Sequence, residues 1–113
     1  IVKYIKNDLK CLLLADVSNL DEALEAEELG ADFIATTLSG YTKTCPKTNT
    51  PDLDLVKILV KKCEKPIIAE GRYESAKQIS SAFKLGATAV VVGTAITNPR
   101  EITRKIVNQI EDL

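Results

Sequence analysis

The feature that most constrains this chain is a regular alternation of short apolar runs with amphipathic segments, joined by connections mostly a few residues long. Cys11-Leu12-Leu13-Leu14-Ala15 is continuously apolar and ends at Asp16. Phe33-Ile34-Ala35-Thr36-Thr37, Pro66-Ile67-Ile68-Ala69 and Ala89-Val90-Val91-Val92 repeat the pattern, the last two ending in Glu70-Gly71 and Gly93-Thr94. Unbroken runs of this length fit strands buried on both faces of a parallel sheet. Between them lie helical patterns. Asn19 with Glu22 makes a capping box before Leu20, Ala23, Leu24 and Leu29, read as inward-facing. Pro51 suits a first helical position ahead of Leu55, Val56, Leu59 and Val60. Ala76, Ile79, Ala82 and Phe83 form the next apolar face. Asn98 as N-cap and Pro99 at the first helical position open the last helix, with Ile102, Ile106, Val107 and Ile110 inward. Val2, Ile5 and Leu9 look like the tail of a further helix. Strand–helix alternation throughout means a parallel α/β sheet.

A weak internal repeat sharpens this reading. Leu29-Gly30-Ala31 recurs as Leu85-Gly86-Ala87, and Ala15-Asp16 recurs as Ala69-Glu70 at almost the same offset. Gly30 and Gly86 suit the left-handed position that ends a helix. The repeated block is two β/α units, so the chain holds four. A closed barrel takes eight units and typically ~250 residues, so four units make half of one. The expected architecture is a single domain over residues 1–113, with helices on one side and a bare apolar sheet face on the other. Such a face favours pairing with another copy or with a partner half. The start at Ile1 reads as a fragment or processed chain.

Composition removes several functions. Lys and Arg total 15 against 16 Asp and Glu, and two Phe, three Tyr and no Trp are too few for base stacking, so no nucleic-acid partner is expected. No apolar stretch approaches the roughly 20 residues of a membrane helix, and no signal peptide is visible. Cys11, Cys45 and Cys63 contain no CxxC pair and there is no histidine, so no metal site is expected. Cys11 and Cys63 read as small core residues in a reducing cytoplasm.

In parallel α/β folds, functional groups gather at the carboxyl ends of the strands. Those positions hold Asp16, Thr36 to Tyr41, Glu70 to Arg72, and Gly93 to Ala95. Gly93-Thr94 is either a plain tight turn or a place where free amides cradle a phosphate, with Gly71 on the neighbouring strand favouring the second. Glu70 is the best acid/base candidate; its structural alternatives are a helix N-terminal charge or an ion pair with Arg72. Asp16 caps the following helix or serves the site. The segment Thr36 to Thr42 offers hydroxyls and glycine to a sugar, or is a hydroxyl-rich turn with no ligand.

Gly30-Ala31-Asp32-Phe33-Ile34-Ala35-Thr36-Thr37-Leu38-Ser39-Gly40-Tyr41-Thr42 resembles a motif of the bacterial N-acetylmannosamine-6-phosphate 2-epimerases. Ile67-Ile68-Ala69-Glu70-Gly71 and Val91-Val92-Gly93-Thr94-Ala95-Ile96-Thr97 are similar to the same family, over nearly the whole chain from about Leu12. The resemblance implies strands five to eight of a (β/α)8 barrel in sialic-acid catabolism, acting on a phosphorylated amino sugar without cofactor or metal. It implies Glu70 as the catalytic glutamate and Gly71, Gly93 and Thr94 as phosphate holders. Thr37, Gly40 and Tyr41 would line the sugar pocket; Asp16 and Arg72 are added as substrate contacts from their strand-end positions, not from the resemblance. Two departures stand out. Many members carry arginine where Asn98 stands, a contact left to Arg72 or Arg100 here, and the family's catalytic lysine comes from a first half that this chain lacks. Other phosphosugar barrels, such as thiazole synthase or indole-glycerol-phosphate synthase relatives, are the rival reading, against which Thr36 to Thr42 counts.

Overall fold

The computed structural model describes residues 1–43, 45 and 47–110. Strands β1 (Leu14–Asp16), β2 (Phe33–Ala35), β3 (Ile67–Glu70) and β4 (Ala89–Val91) form one parallel sheet in chain order. Helices α1 (Leu20–Glu28), α2 (Leu53–Lys62) and α3 (Ala76–Leu85) connect them, and α4 (Thr94–Thr97) and α5 (Pro99–Val107) follow β4. The four-residue α4 has no apolar periodicity to announce it. It turns the chain between Gly93 and the Asn98 cap.

The first strand begins later than its apolar run suggests. Cys11 is exposed, not a core residue, because its amide bonds back to Ile5 O and keeps it with the π-helical turn Tyr4–Asp8. Asp32 then ties that turn to the sheet, accepting from Lys6 Nζ at 2.5 Å and from Leu13 N at 2.7 Å. The Lys6 ammonium bond, then the Leu13 amide, hold the Asp32 carboxyl below its ordinary pKa. Cys63 is half-buried against the core, as expected of it.

Helix starts follow side-chain caps. Asn19 accepts from Glu22 N at 2.9 Å, but the Glu22 carboxylate returns to Ser18 N at 2.7 Å, so the box closes one residue early. Pro51 lies just outside α2, where Asp52 is the cap and accepts from Leu55 N at 2.9 Å. Ser75 and Gln78 form a full capping box on α3. Asn98 and Pro99 open α5 as read from the sequence.

The core lies between sheet and helices. Val17, Ala23, Ile34, Leu55, Leu59 and Ile67 form one cluster, and Val56, Ala69, Tyr73, Ala82 and Ala87 the next, with Val60 packed against both. Several residues expected inside are exposed: Leu24, Leu29 and Phe83, Ile106 and Val107 on α5, and Ile110, which lies beyond the end of α5. Small residues, Ala23 on α1 and Ala82 on α3, make the buried contacts, so larger neighbours on those helices fall outside. Ile102 alone of the expected α5 face is half-buried. The strands are likewise covered on one face only, leaving Leu14 and Val91 exposed. The radius of gyration is 16.1 Å. A compact domain of this length would have about 13 Å, so the arrangement is an open arc.

The sequence repeat is also a hydrogen-bond repeat. Gly30 N bonds to Glu27 O and Gly86 N to Phe83 O; Ala31 N bonds to Ala26 O and Ala87 N to Ala82 O. In both copies the next amide returns to the start of the preceding strand segment, Asp32 N to Leu13 O just before β1 and Thr88 N to Ile67 O in β3. This exit needs a left-handed residue, and Gly86 has φ +104°. A Cβ there would stand 2.7 Å from Val60 Cγ1. Gly86→Ala combines backbone strain with overpacking and should lower stability by about 1–3 kcal/mol in urea denaturation.

Candidate functional site

Side chains alternate along each strand between the helix layer and the open face. Ala15, Ile34, Ile67, Ala69 and Val90 belong to the helix-side clusters. Asp16, Glu70 and Val91 are therefore on the open face, toward the carboxyl ends. Register then separates the two carboxylates. Ala35 pairs with both Asp16 and Ile68, so Glu70 stands one inward-facing position beyond Asp16. Glu70 in turn pairs with Val91, two residues before Gly93.

These ends surround a cavity of about 330 Å³ lined by Thr37, Leu38, Tyr41, Glu70, Gly71, Arg72, Tyr73, Val91, Gly93 and Thr94. Seven of the nine residues singled out from the sequence are on this list. The exceptions are Asp16 and Gly40. Asp16 touches the site through Thr37, whose Oγ1 donates to its carboxylate at 2.9 Å. It does not cap α1, which Asn19 does. Gly40 lies behind the wall, its amide donating to Cys45 Sγ at 2.9 Å.

Glu70 is half-buried, and among the described residues it makes no ion pair. Its backbone is held by Thr36, which alternation turns away from Thr37 into the helix layer. Thr36 Oγ1 donates to Glu70 O at 2.8 Å and accepts from Glu70 N at 3.0 Å. The side chain is buried, so β2 and β3 are fastened together at the level of the candidate acid/base group. Period-two alternation from Ile34 was the available signal for this role.

Beyond Glu70 the chain turns through two left-handed residues, Gly71 at φ +107° and Arg72 at φ +61°. Arg72 Nε donates to Thr50 O at 2.9 Å, and its guanidinium carbon lies 4.9 Å from the centre of the Tyr41 ring. Tyr73 is buried, and burial first, then Asp52, push its phenol pKa up, partly offset by Arg72. Gly93 faces open space: a Cβ built there meets nothing within 4 Å. The first amides of α4 follow it and have no partner within that helix.

Asn98, at the position where the resembling family carries arginine, caps α5 by accepting from Glu101 N at 3.1 Å. Arg72 is the cationic side chain among the described lining residues, and no lysine is among them. Among the described residues there is no group of three His, Cys, Asp or Glu placed to hold a metal ion. Among them, too, no helix is long and apolar enough to cross a membrane.

Replacing the Thr36 hydroxyl leaves two part-buried backbone groups of Glu70 without that partner. Thr36→Val should cost about 1–3 kcal/mol in chemical denaturation, while Thr36→Ser, which keeps the oxygen, should recover most of it.

The pattern of the family described as "Putative N-acetylmannosamine-6-phosphate epimerase" matches residues 1–112. A protein named as a 2-epimerase of this kind from Caldanaerobacter subterraneus subsp. tengcongensis is 50% identical over 103 residues, covering 91% of this chain and 44% of its own length. One from Clostridioides difficile is 46% identical, covering 98% and 49%. The solved N-acetylmannosamine-6-phosphate 2-epimerase from Clostridium perfringens superposes with a TM-score of 0.91 at 40% identity, over 97% of this chain and 49% of that one. The chain thus spans about half the length of the relatives it matches, and its four parallel units are half of their barrel. With the family pattern running over nearly every residue, this chain belongs to the N-acetylmannosamine-6-phosphate epimerase family.

Proposed function

We propose that this chain is the C-terminal half, strands five to eight, of an isomerase that interconverts N-acetylmannosamine 6-phosphate and N-acetylglucosamine 6-phosphate. The supporting observation is that Glu70 and the Gly93-Thr94 turn line one cavity on the open face, with Thr37 and Tyr41 on its other wall. The reaction removes the C2 proton next to the C1 carbonyl of the open-chain sugar and returns a proton to the opposite face. It needs two proton-transferring groups, stabilisation of the enolate between them, and an anchor for the phosphate.

Glu70 serves as one acid/base group. Its half-buried carboxylate sits at the end of a strand fixed by Thr36, close to where C2 would lie if the phosphate occupies the Gly93 end. Backbone amides of Gly71, Gly93 and Thr94 hold the phosphate, a role that free amides at a turn perform well. Arg72 adds the positive charge that the Asn98 position does not supply. Thr37 and Tyr41 face the sugar, with Asp16 orienting the Thr37 hydroxyl and Gly40 shaping the loop behind Tyr41. The second proton-transferring group comes from the other half of the barrel, where the family's lysine is expected, so the 113-residue chain alone has no epimerase activity.

A second reading concerns the chain by itself. Leu12, Leu14 and Val91 on the sheet side, and Ile106 and Val107 on α5 with Ile110 just after it, are exposed apolar surface. Patches of this kind favour association, so the isolated arc pairs with another copy or with a complementary half.

Two measurements check these readings. In a complete barrel carrying this half, Glu70→Gln should lower kcat by roughly 10²–10⁴-fold with KM little changed, and an unaltered kcat rejects Glu70 as acid/base group. Sedimentation of the 113-residue chain should give a species larger than a monomer, and a clean monomer at high concentration refutes the pairing.

A further inference from the structure

We propose that Arg72 is a positioning residue, its guanidinium clasping the β2–α2 loop so that Tyr41 is held as a wall of the rim cavity. The loop is by far the longest connection in the chain, running from Thr36 to Asp52, whereas β3 reaches the Ser75 cap of α3 within five residues. Among its described residues no helix or strand orders it. One side chain from the next strand end touches it at both ends. At the far end Arg72 Nε donates to Thr50 O at 2.9 Å. Near the loop's start the guanidinium carbon lies over the Tyr41 ring at 4.9 Å, within range of a cation–π attraction.

Two further observations show that this placement is built in. A Cβ on Gly40 would fall 3.0 Å from Nη1 and 3.1 Å from Nη2, so glycine leaves the space that the planar cation fills. Arg72 itself has φ +61°, a conformation an arginine adopts only when its surroundings hold it there. A cation merely waiting for a ligand needs neither the Thr50 bond nor the ring beneath it. Nη1 is buried and without a hydrogen-bond partner, so the Nε bond to Thr50 and the Tyr41 ring are the contacts that hold the group in place.

The test reads loop opening and is independent of any epimerase activity. Endoproteinase Lys-C is applied to the 113-residue chain, and cuts after Lys43 and Lys47 in the loop are compared by mass with cuts after Lys57, Lys61 and Lys62 at α2. Arg72→Asn keeps a residue that tolerates the left-handed region and removes the clasp. It should raise the loop-to-helix cleavage ratio about tenfold; Tyr41→Leu should raise it about threefold, and Tyr41→Phe should leave it unchanged. A ratio in Arg72→Asn equal to that of the parent overturns the proposal, as does equal behaviour of Tyr41→Leu and Tyr41→Phe. A globally unfolded variant is cut at both sets alike. Tyr41 is 67% exposed, so its two variants leave the core intact and decide the matter in that case.

Discussion

A strand can present its side chains to only two sides, and in this chain one side is claimed by helices. Everything at the rim follows from that division. Ala15, Ile67, Ala69 and Val90 face α1, α2 and α3, which sends Asp16, Glu70 and Val91 to the other face without any special device. The stagger between parallel neighbours then sets height. Because Ala35 meets Asp16 on one side and Ile68 on the other, Glu70 rises above Asp16, and the lower carboxylate becomes a support for Thr37.

Height alone would leave Glu70 at the frayed end of a four-residue strand. Thr36 prevents this by bonding both backbone groups of Glu70 from within a buried layer. The threonine pair thus divides labour by parity: Thr36 fastens the sheet and Thr37 meets the cavity. A side chain can be placed accurately only when its own backbone has few alternatives, and the two left-handed residues after Glu70 restrict the chain further. These restraints lie on the β2–β3 side of the rim, next to the long loop.

Much of this was legible from residue order. The four apolar runs became four strands, Asn98-Pro99 opened a helix, and the Leu-Gly-Ala repeat reappeared as matching amide bonds. Seven of nine candidate site residues line one cavity, because strand ends in a parallel sheet converge whatever their details. What was misread has a common cause. Leu24, Phe83 and Ile106 have helical spacing, but spacing reports a face and not whether anything lies against it. Cys11 sits in an apolar run yet belongs to the preceding turn, since a hydrogen bond to Ile5 decides where pairing begins. The clasp of Arg72 on Tyr41 and Thr50 joins residues far apart in sequence through a conformation rare for arginine, and no local pattern encodes it.

The order of the sheet has a consequence for assembly. Every strand pairs with its immediate successor, so each unit docks on one already made and the search for partners stays local. A closed ring adds one contact of another kind, the seam where last strand meets first, whose formation must wait for the entire polypeptide and carries the largest closure entropy. An arc of four units has no internal seam. It can grow strand by strand along the chain, and the difficulty is transferred from folding to encounter: two open edges must then be met by a second molecule or a second segment.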